Sequence, residues 1–387
     1  MPHHFRLLAR VIHSTTASRR RSPTWSQARV YDPRMSHLFA PLTLRSVTFR
    51  NRIFVSPMCQ YSSENGIPND WHLVHLGSRA VGGAGLVIVE ASGVSPVGRI
   101  TDWDSGIWSE AHAEAWAPIV AFIHRQGAVA GIQIAHAGRK ASTDKPWRGG
   151  GVIATGEHAW TPVAPSAIPF RDGEPAPHAL SVSEIDEIVE QFAHAAAHAL
   201  RAGFRVIEIH AAHGYLLHQF LSPLCNTRSD EYGGSLENRM RLTLRVTGRV
   251  RAIWPEELPL LVRISASDWA EGGWDLEQSI VLSRRLRELG VDLVDCSSGG
   301  AVAHAKVELG PGYQVPFARA IRSAAEIATG AVGLITTAQQ AEDILRDGSA
   351  DAVLLARELL RDPYFPLHAA RELGVDIAWP EQYLRAK

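Results

Sequence analysis

Two imidazoles and a phenol fall close together in VIEIHAAHGYLLHQF, residues 206–220: His210, His213 and Tyr215. The apolar run ahead of them reads as a strand, so the three would stand at its end and in the loop that follows. Two chemistries suit them. Paired imidazoles can donate hydrogen bonds to a carbonyl oxygen that gains negative charge, while the phenol supplies a proton. An HxxH pair can also ligate zinc if another strand brings a third ligand. A blander reading makes one histidine a hydrogen-bonded core residue.

A second stretch, SPMCQYSSENG at residues 56–66, places Cys59 and Tyr61 just after the apolar Ile53-Phe54-Val55. Its thiol could be a packing group, a disulfide half, a metal ligand, a nucleophile or a cofactor contact. The chain has three cysteines, Cys59, Cys225 and Cys296, with no CxxC. An odd, scattered set argues against a disulfide framework or a multi-cysteine metal site and suits a reduced, cytoplasmic setting. His194 and His198 stand at i, i+4 among alanines; solvation or helix packing is the better reading of them than a metal pair.

Other residues ask for partners. Arg263 ends the run LLVRIS, and a buried guanidinium must meet an anion, a polarised carbonyl or a salt-bridge partner inside the fold. Gln133 lies within GIQIAH; a buried amide there would be satisfied by a flat heteroaromatic ring with donors and acceptors. Near the end, AVGLITT with Gly333 and LLARELLRDP with Arg357 offer backbone N–H groups and a cation to a phosphate monoester.

These residues need a scaffold. The chain has 387 residues, 45% hydrophobic and 20% charged, with a net charge of -1. That balance suits a globular protein and gives no reason to invoke nucleic acid or an anionic membrane. No apolar run reaches the roughly 18 residues of a spanning helix. Eight apolar runs recur: Ile53–Ser56, Leu86–Ala91, Val129–His136, Val206–His210, Leu260–Ser265, Leu293–Ser297, Ala331–Ile335 and Ala352–Leu355. Such near-continuous runs indicate strands covered on both faces.

Helical patterns separate the runs, clearest at Ser183–Ala202, where Ile185, Ile188, Val189, Phe192, Ala196 and Ala199 make one apolar face behind a Ser183 cap. Others are expected over Glu110–Arg125, from Ser235, and over Leu276–Leu289, Pro316–Ala328 and Ala338–Asp347. Eight strands alternating with helices predict a single α/β domain, a (β/α)8 barrel with its chemistry at the strand C-termini. One connection is long. In residues 141–180, 11 of 40 are Gly or Pro, which reads as a lid or subdomain over the site or as a surface excursion packed by Trp147, Trp160 and Phe170.

Residues 1–34 differ from the rest, with seven Arg and one acidic residue, Asp32. Their composition is that of a transit peptide, or of an extension ahead of a true start at Met35. The barrel domain is expected over residues 35–387.

Taken together, SPMCQY, NDWHLVHL, GGAGLVIVEASGVSPVGR, GIQIAHAGRKAS, HAAHGYLLHQFLSPLCNTRSDEYGGSLENR, LVRISASDW and DAVLLARELLRDPYFP resemble the Old Yellow Enzyme family of flavin-dependent ene-reductases. The resemblance runs from about Met35 to Lys387 and is closest to the thermophilic-like branch, which includes bacterial xenobiotic reductases. It implies a barrel holding non-covalent FMN, reduced by NADPH or NADH and reoxidised by an activated alkene such as an enone. It implies that His210 and His213 hold the substrate carbonyl and that Tyr215 donates the proton. Arg263 would face the flavin N1/C2 carbonyl edge, Gln133 and Ser56 would hydrogen-bond the ring, and Pro57, Met58 and Ala91 would line it. Cys59 would tune the flavin and touch the ligand, with Tyr61 bonding the substrate. Gly333, Ala356 and Arg357 would cradle the phosphate, with Ala356 standing where the family usually has glycine. The terminal QYLRAK matches a segment in which an arginine, here Arg385, reaches a neighbouring subunit's site, which implies a homodimer or homotetramer. No metal is implied.

Overall fold

Eight short strands, each buried on both faces, form a closed parallel barrel in the computed structural model, which describes residues 36–387. They are β1 (Ile53–Val55), β2 (Leu86–Gly93), β3 (Val129–Ala135), β4 (Val206–Ala211), β5 (Leu260–Ser265), β6 (Leu293–Ser297), β7 (Ala328–Ala331) and β8 (Ala352–Leu355). Each pairs with its sequence neighbours, and β8 returns to β1. This is the (β/α)8 barrel expected from the alternation of elements.

The period-two pleat sorts side chains between two environments. Val87, Val89, Ile132, Ile207, Ile209 and Val262 face outward into the layer beneath the helices. Phe54, Leu86, Ile88, Val206, Leu261 and Leu293 face inward and plug the lower barrel. A hairpin, Leu42–Leu44 with Val47–Phe49, closes the floor. Phe49 reaches the plug and meets the Phe54 ring at 4.9 Å between centroids. Above the plug the inward positions turn polar, and these strand ends carry the candidate site.

The helix over Glu110–Arg125 has the expected bounds, and those at Leu236–Arg251, Leu276–Glu288, Val315–Ala325 and Ala338–Arg346 lie within a few residues of expectation. The helix at Val182–Arg201 begins at Ser181, not Ser183. Ser181 Oγ accepts from Glu184 N at 3.3 Å, while Glu184 Oε2 accepts from Ser181 N at 2.7 Å. That reciprocal capping box satisfies two otherwise orphaned N–H groups.

The seventh strand is also displaced. It covers Ala328–Ala331 rather than Ala331–Ile335, so Gly333 and Ile335 lie in the loop beyond it. Gly333 at φ 121° and Leu334 at φ 51° cannot continue an extended strand. Val332, Leu334 and Ile335 instead face a cleft at the barrel mouth.

Residues 141–180 contain a single 3-10 turn, Pro146–Arg148, and a two-residue strand pair, Val163–Ala164 with His178–Ala179. Residues 1–34, where an N-terminal extension is expected, lie outside the described residues. Among those described, no helix is long and apolar enough to cross a membrane.

Candidate active site

His210 is the penultimate residue of β4, and the chain turns sharply after it. His213 takes a left-handed conformation at φ 58°, and Gly214 follows at φ 73°. A Cβ on Gly214 would stand 1.9 Å from the Gly300 carbonyl oxygen, so only glycine lets this loop pass. The turn gathers the three rings. His210 meets His213 at 5.2 Å and Tyr215 at 5.0 Å between centroids, edge-on to both.

Hydrogen bonds orient the rings. His210 Nδ1 accepts from Ala212 N at 3.3 Å, which leaves Nε2 as the protonated nitrogen of a neutral ring. His213 Nε2 lies 2.7 Å from Ser297 Oγ at the end of β6, and its backbone N–H donates to Ser265 Oγ at 2.9 Å. Lys140 Nζ donates to the His213 carbonyl at 2.9 Å and lies over the Phe170 and Tyr215 rings at 4.5 and 5.3 Å. Burial first, and the Arg263 cation second, hold both imidazoles well below the ordinary histidine range. Burial raises the Tyr215 phenol above its ordinary value. The cluster therefore favours two neutral imidazoles beside a protonated phenol.

Beneath it lies a charged layer. It draws on four adjacent strands, β3 to β6: Gln133 pairs with Glu208 and Arg263 with Asp295 in the sheet register, while across β4 and β5 Arg263 stands beside His210 and Glu208 beside Leu261. Gln133 Nε2 donates to Glu208 Oε1 at 2.8 Å. Arg263 Nε lies 3.0 Å from Asp295 Oδ2, and its Nη1 donates to Ser56 Oγ at 3.2 Å. Arg263 thus makes the salt bridge inside the barrel on one edge and donates to Ser56 on the other.

A cavity of about 210 Å³ runs from Arg263 to Arg357, bordered by Ser297, Tyr313, Gly333 and Ala356. Gly333 forms part of its wall: a Cβ there would lie 2.9 Å from Gln314 Nε2 and 3.1 Å from the Tyr313 ring. Ala356 sits at φ -105°, outside the left-handed region that favours glycine. A polar cleft with a guanidinium at each end and a glycine-lined wall fits a flat ring joined to a phosphate, as in FMN.

On the opposite side, Cys59 and Tyr61 occupy the loop after β1. Tyr61 is at φ 50°, a strained conformation held by its surroundings. Gln60 N donates to Glu90 Oε2 at 2.5 Å, and Glu90 Oε1 pairs with His72 Nε2 at 2.8 Å. Desolvation, then the Asp104 and Glu90 carboxylates, raise the Cys59 thiol well above its usual range. Tyr61 meets Trp147 of the 141–180 segment at 5.8 Å, and a cavity of about 160 Å³ opens between Tyr61, Lys140 and Phe170. Trp160 from the same segment donates from its indole N–H to the Val97 carbonyl at 3.0 Å.

Pro57 and Met58 are partly exposed on the same loop, and Ala91 is buried in β2. Arg385 is exposed in the terminal turn Glu381–Ala386. His194 is exposed on its helix. Among the described residues no cluster of three or more His, Cys, Asp or Glu gathers to hold a metal. Sequence reading missed Glu208, Asp295 and Lys140. The first two share a signal: each is polar within an apolar strand run, at the same strand parity as His210 or Arg263.

Residues 37–375 match the NADH:flavin oxidoreductase / NADH oxidase family. The chain is 49% identical over 350 residues to NADPH dehydrogenase of Bacillus subtilis, spanning 90% of this chain and 98% of that protein. It is 50% identical over 350 residues to NADPH dehydrogenase of a Geobacillus species, with the same coverage. Among solved structures, the Old Yellow Enzyme homologue from Zymomonas mobilis superposes with a TM-score of 0.73 at 29% identity, over 89% of this chain and 97% of that one. Morphinone reductase in complex with tetrahydroNAD gives 0.72 at 28% identity, over 89% and 92%. The chain belongs to the NADH:flavin oxidoreductase / NADH oxidase family and is an FMN-dependent oxidoreductase that draws its electrons from NAD(P)H.

Proposed function

We propose that this oxidoreductase is an ene-reductase that reduces the C=C bond of activated alkenes, enones above all, with NADPH as reductant. The observation that carries this reading is the cluster of two neutral imidazoles edge-on to each other, with His210 edge-on to Tyr215 as well. Bound FMN would supply the reversible hydride chemistry that links NADPH to the alkene. The chain's own residues do the rest.

His210 and His213 bind the substrate carbonyl oxygen. As neutral donors they can follow the growth of charge on that oxygen without a proton changing hands beforehand. His210 donates from Nε2, since its Nδ1 accepts a backbone N–H. His213 turns Nδ1 toward the ligand, its Nε2 lying 2.7 Å from Ser297 Oγ. Tyr215 gives the proton to the α-carbon; its raised pKa keeps that proton in place until carbanion character develops.

Arg263, Gln133 and Ser56 hold the polar edge of the flavin ring, while Pro57, Met58, Cys59 and Ala91 line it. Gly333, Ala356 and Arg357 hold the phosphate end of the cleft. Cys59 and Tyr61 face the substrate. The 141–180 segment covers the site through Trp147 and Phe170. Arg385 serves a neighbouring subunit in a homodimer or homotetramer, in a cytoplasmic enzyme. NADPH is favoured over NADH by the names of the Bacillus and Geobacillus relatives.

Anaerobic stopped-flow absorbance tests the reading. The purified yellow protein is expected to bleach with NADPH and recover its colour on mixing with cyclohexenone. Bleaching without recovery across enones, maleimides and nitroalkenes would overturn the alkene assignment while leaving the family membership intact.

A further inference from the structure

The layer beneath the rings holds two carboxylates and one guanidinium. Glu208 and Asp295 are fully buried, and Arg263 nearly so. Asp295 has Arg263 at 3.0 Å. Glu208 has no such cation within contact: its Oε1 accepts from the neutral Gln133 amide, and its Oε2 has no hydrogen-bond partner at all. Neither Asp295 oxygen has a hydrogen-bond partner, so Arg263 meets that carboxylate as an ion pair alone. Below lies the apolar plug of Val206, Leu261 and Leu293, so no solvent-like groups compensate from that side.

Two ionised carboxylates around one arginine would leave a net negative charge here, with an unpartnered ionised oxygen. That arrangement is among the costliest a protein interior can hold. An unpartnered neutral hydroxyl costs far less. Placing one proton on the pair brings the layer to neutrality.

We propose that Glu208 and Asp295 form a buried positioning pair that shares one proton, carried mainly by Glu208, and that this pair sets both the orientation of Gln133 and the charge presented by Arg263 to the flavin. Glu208 Oε1 draws the Gln133 Nε2 toward the floor, which turns the amide oxygen to the ring side as an acceptor. Asp295 anchors one edge of Arg263, leaving the other for Ser56 and the ring. Burial, then the Asp295 charge, raises Glu208, and Arg263 opposes this; burial raises Asp295 against the same opposing cation. The groups facing Glu208 are Gln133 from β3, Arg263 from β5 and Asp295 from β6, with His210 above it on β4 held neutral. In the alkaline range the pair releases its proton to solvent, the layer gains one negative charge, and the reduced, anionic flavin is disfavoured.

This inference rests on the flavin lying over Gln133 and Arg263 as proposed above, so the proton is first sought without flavin. Infrared difference spectra of the apoprotein, wild type minus E208Q at neutral pH, are expected to show a protonated-carboxyl C=O band. Its absence overturns the shared proton. Holoprotein is then poised against redox dyes from neutral to alkaline pH. Wild type should show an additional alkaline fall in midpoint potential that E208Q lacks, while the two agree at neutral pH. A potential raised in E208Q at neutral pH would mean that Glu208 is ionised there, which overturns the proposal. An infrared band without any alkaline difference would instead remove the flavin from this layer. E208M, which cannot accept from Gln133, should bind FMN roughly tenfold more weakly, with E208Q close to wild type. Equal FMN affinity in E208M and wild type overturns the Gln133 role.

Discussion

Ser297 Oγ and His213 Nε2 lie 2.7 Å apart, joining the end of β6 to the loop after β4. The bond fixes which nitrogen of His213 is left to face a ligand. Ser297→Ala should therefore weaken binding of para-substituted phenols, which mimic an enolate oxygen, by roughly three- to tenfold. His210→Ala removes a donor outright and should cost roughly 10- to 100-fold. Charge-transfer absorbance on phenol titration measures both. Unchanged affinity in the His210 variant would contradict the oxyanion role.

Tyr215→Phe separates the two half-reactions. Flavin reduction by NADPH should proceed at close to the wild-type rate. Reoxidation by cyclohexenone should slow by roughly 10²- to 10⁴-fold, the usual contribution of a positioned general acid. Stopped-flow traces resolve the two. An equal slowing of both halves would point to a packing role for the ring, which lies 5.0 Å from His210.

Cys59 is held as a neutral thiol by desolvation and by Asp104 and Glu90, which is poor preparation for a nucleophile. Cys59→Ala should retain FMN and part of the turnover while shifting the flavin midpoint potential. Complete loss of turnover at an unshifted potential would return the residue to the nucleophile reading.

Buried histidines give the folded chain a defined acid sensitivity. Burial holds His75 at about 3 and His136 at about 4, and His210 lies well below 6.5. The unfolded chain protonates these rings as pH falls through 6.5, whereas the folded chain does not. Stability is thus complete above that value and drains below it, by up to about 1.4 kcal/mol per pH unit for each histidine. Urea titrations of apoprotein at pH 7, 6 and 5 should show a falling midpoint at constant slope. Glu208 and Asp104, raised to about 8 and about 7, offset part of this loss by taking up protons in the folded state. The histidine share is therefore read as the difference between wild type and His136→Gln; an equal pH dependence in the two would contradict a neutral buried His136.

Arg385 is exposed at the chain terminus. If it completes a neighbour's site, Arg385→Ala should raise KM for the enone several-fold without altering the oligomer mass seen by light scattering. A monomer of full activity would discard the subunit role.

Composition, run length and motif order were enough to specify the barrel and most of the polar residues at its mouth. Apolar runs of four to eight residues alternating with amphipathic helices admit few other folds, and a sharp turn after a strand leaves the position of His210, His213 and Tyr215 legible from spacing alone. Two local errors have local causes. Ser183 yielded to Ser181 because the Glu184 carboxylate closes a box only with the earlier serine. The apolar run 331–335 reads as a strand, yet Gly333 and Leu334 adopt positive φ to line a cleft. What no single segment could state was the company each side chain keeps. Glu208 and Asp295 lie 87 positions apart and come to act on each other only when closure of the barrel sets β4, β5 and β6 side by side. Whether a buried carboxyl bears a proton, or an imidazole stays neutral, depends on desolvation and on charges from other strands. Those are properties of the closed barrel, and the tertiary structure alone decides them.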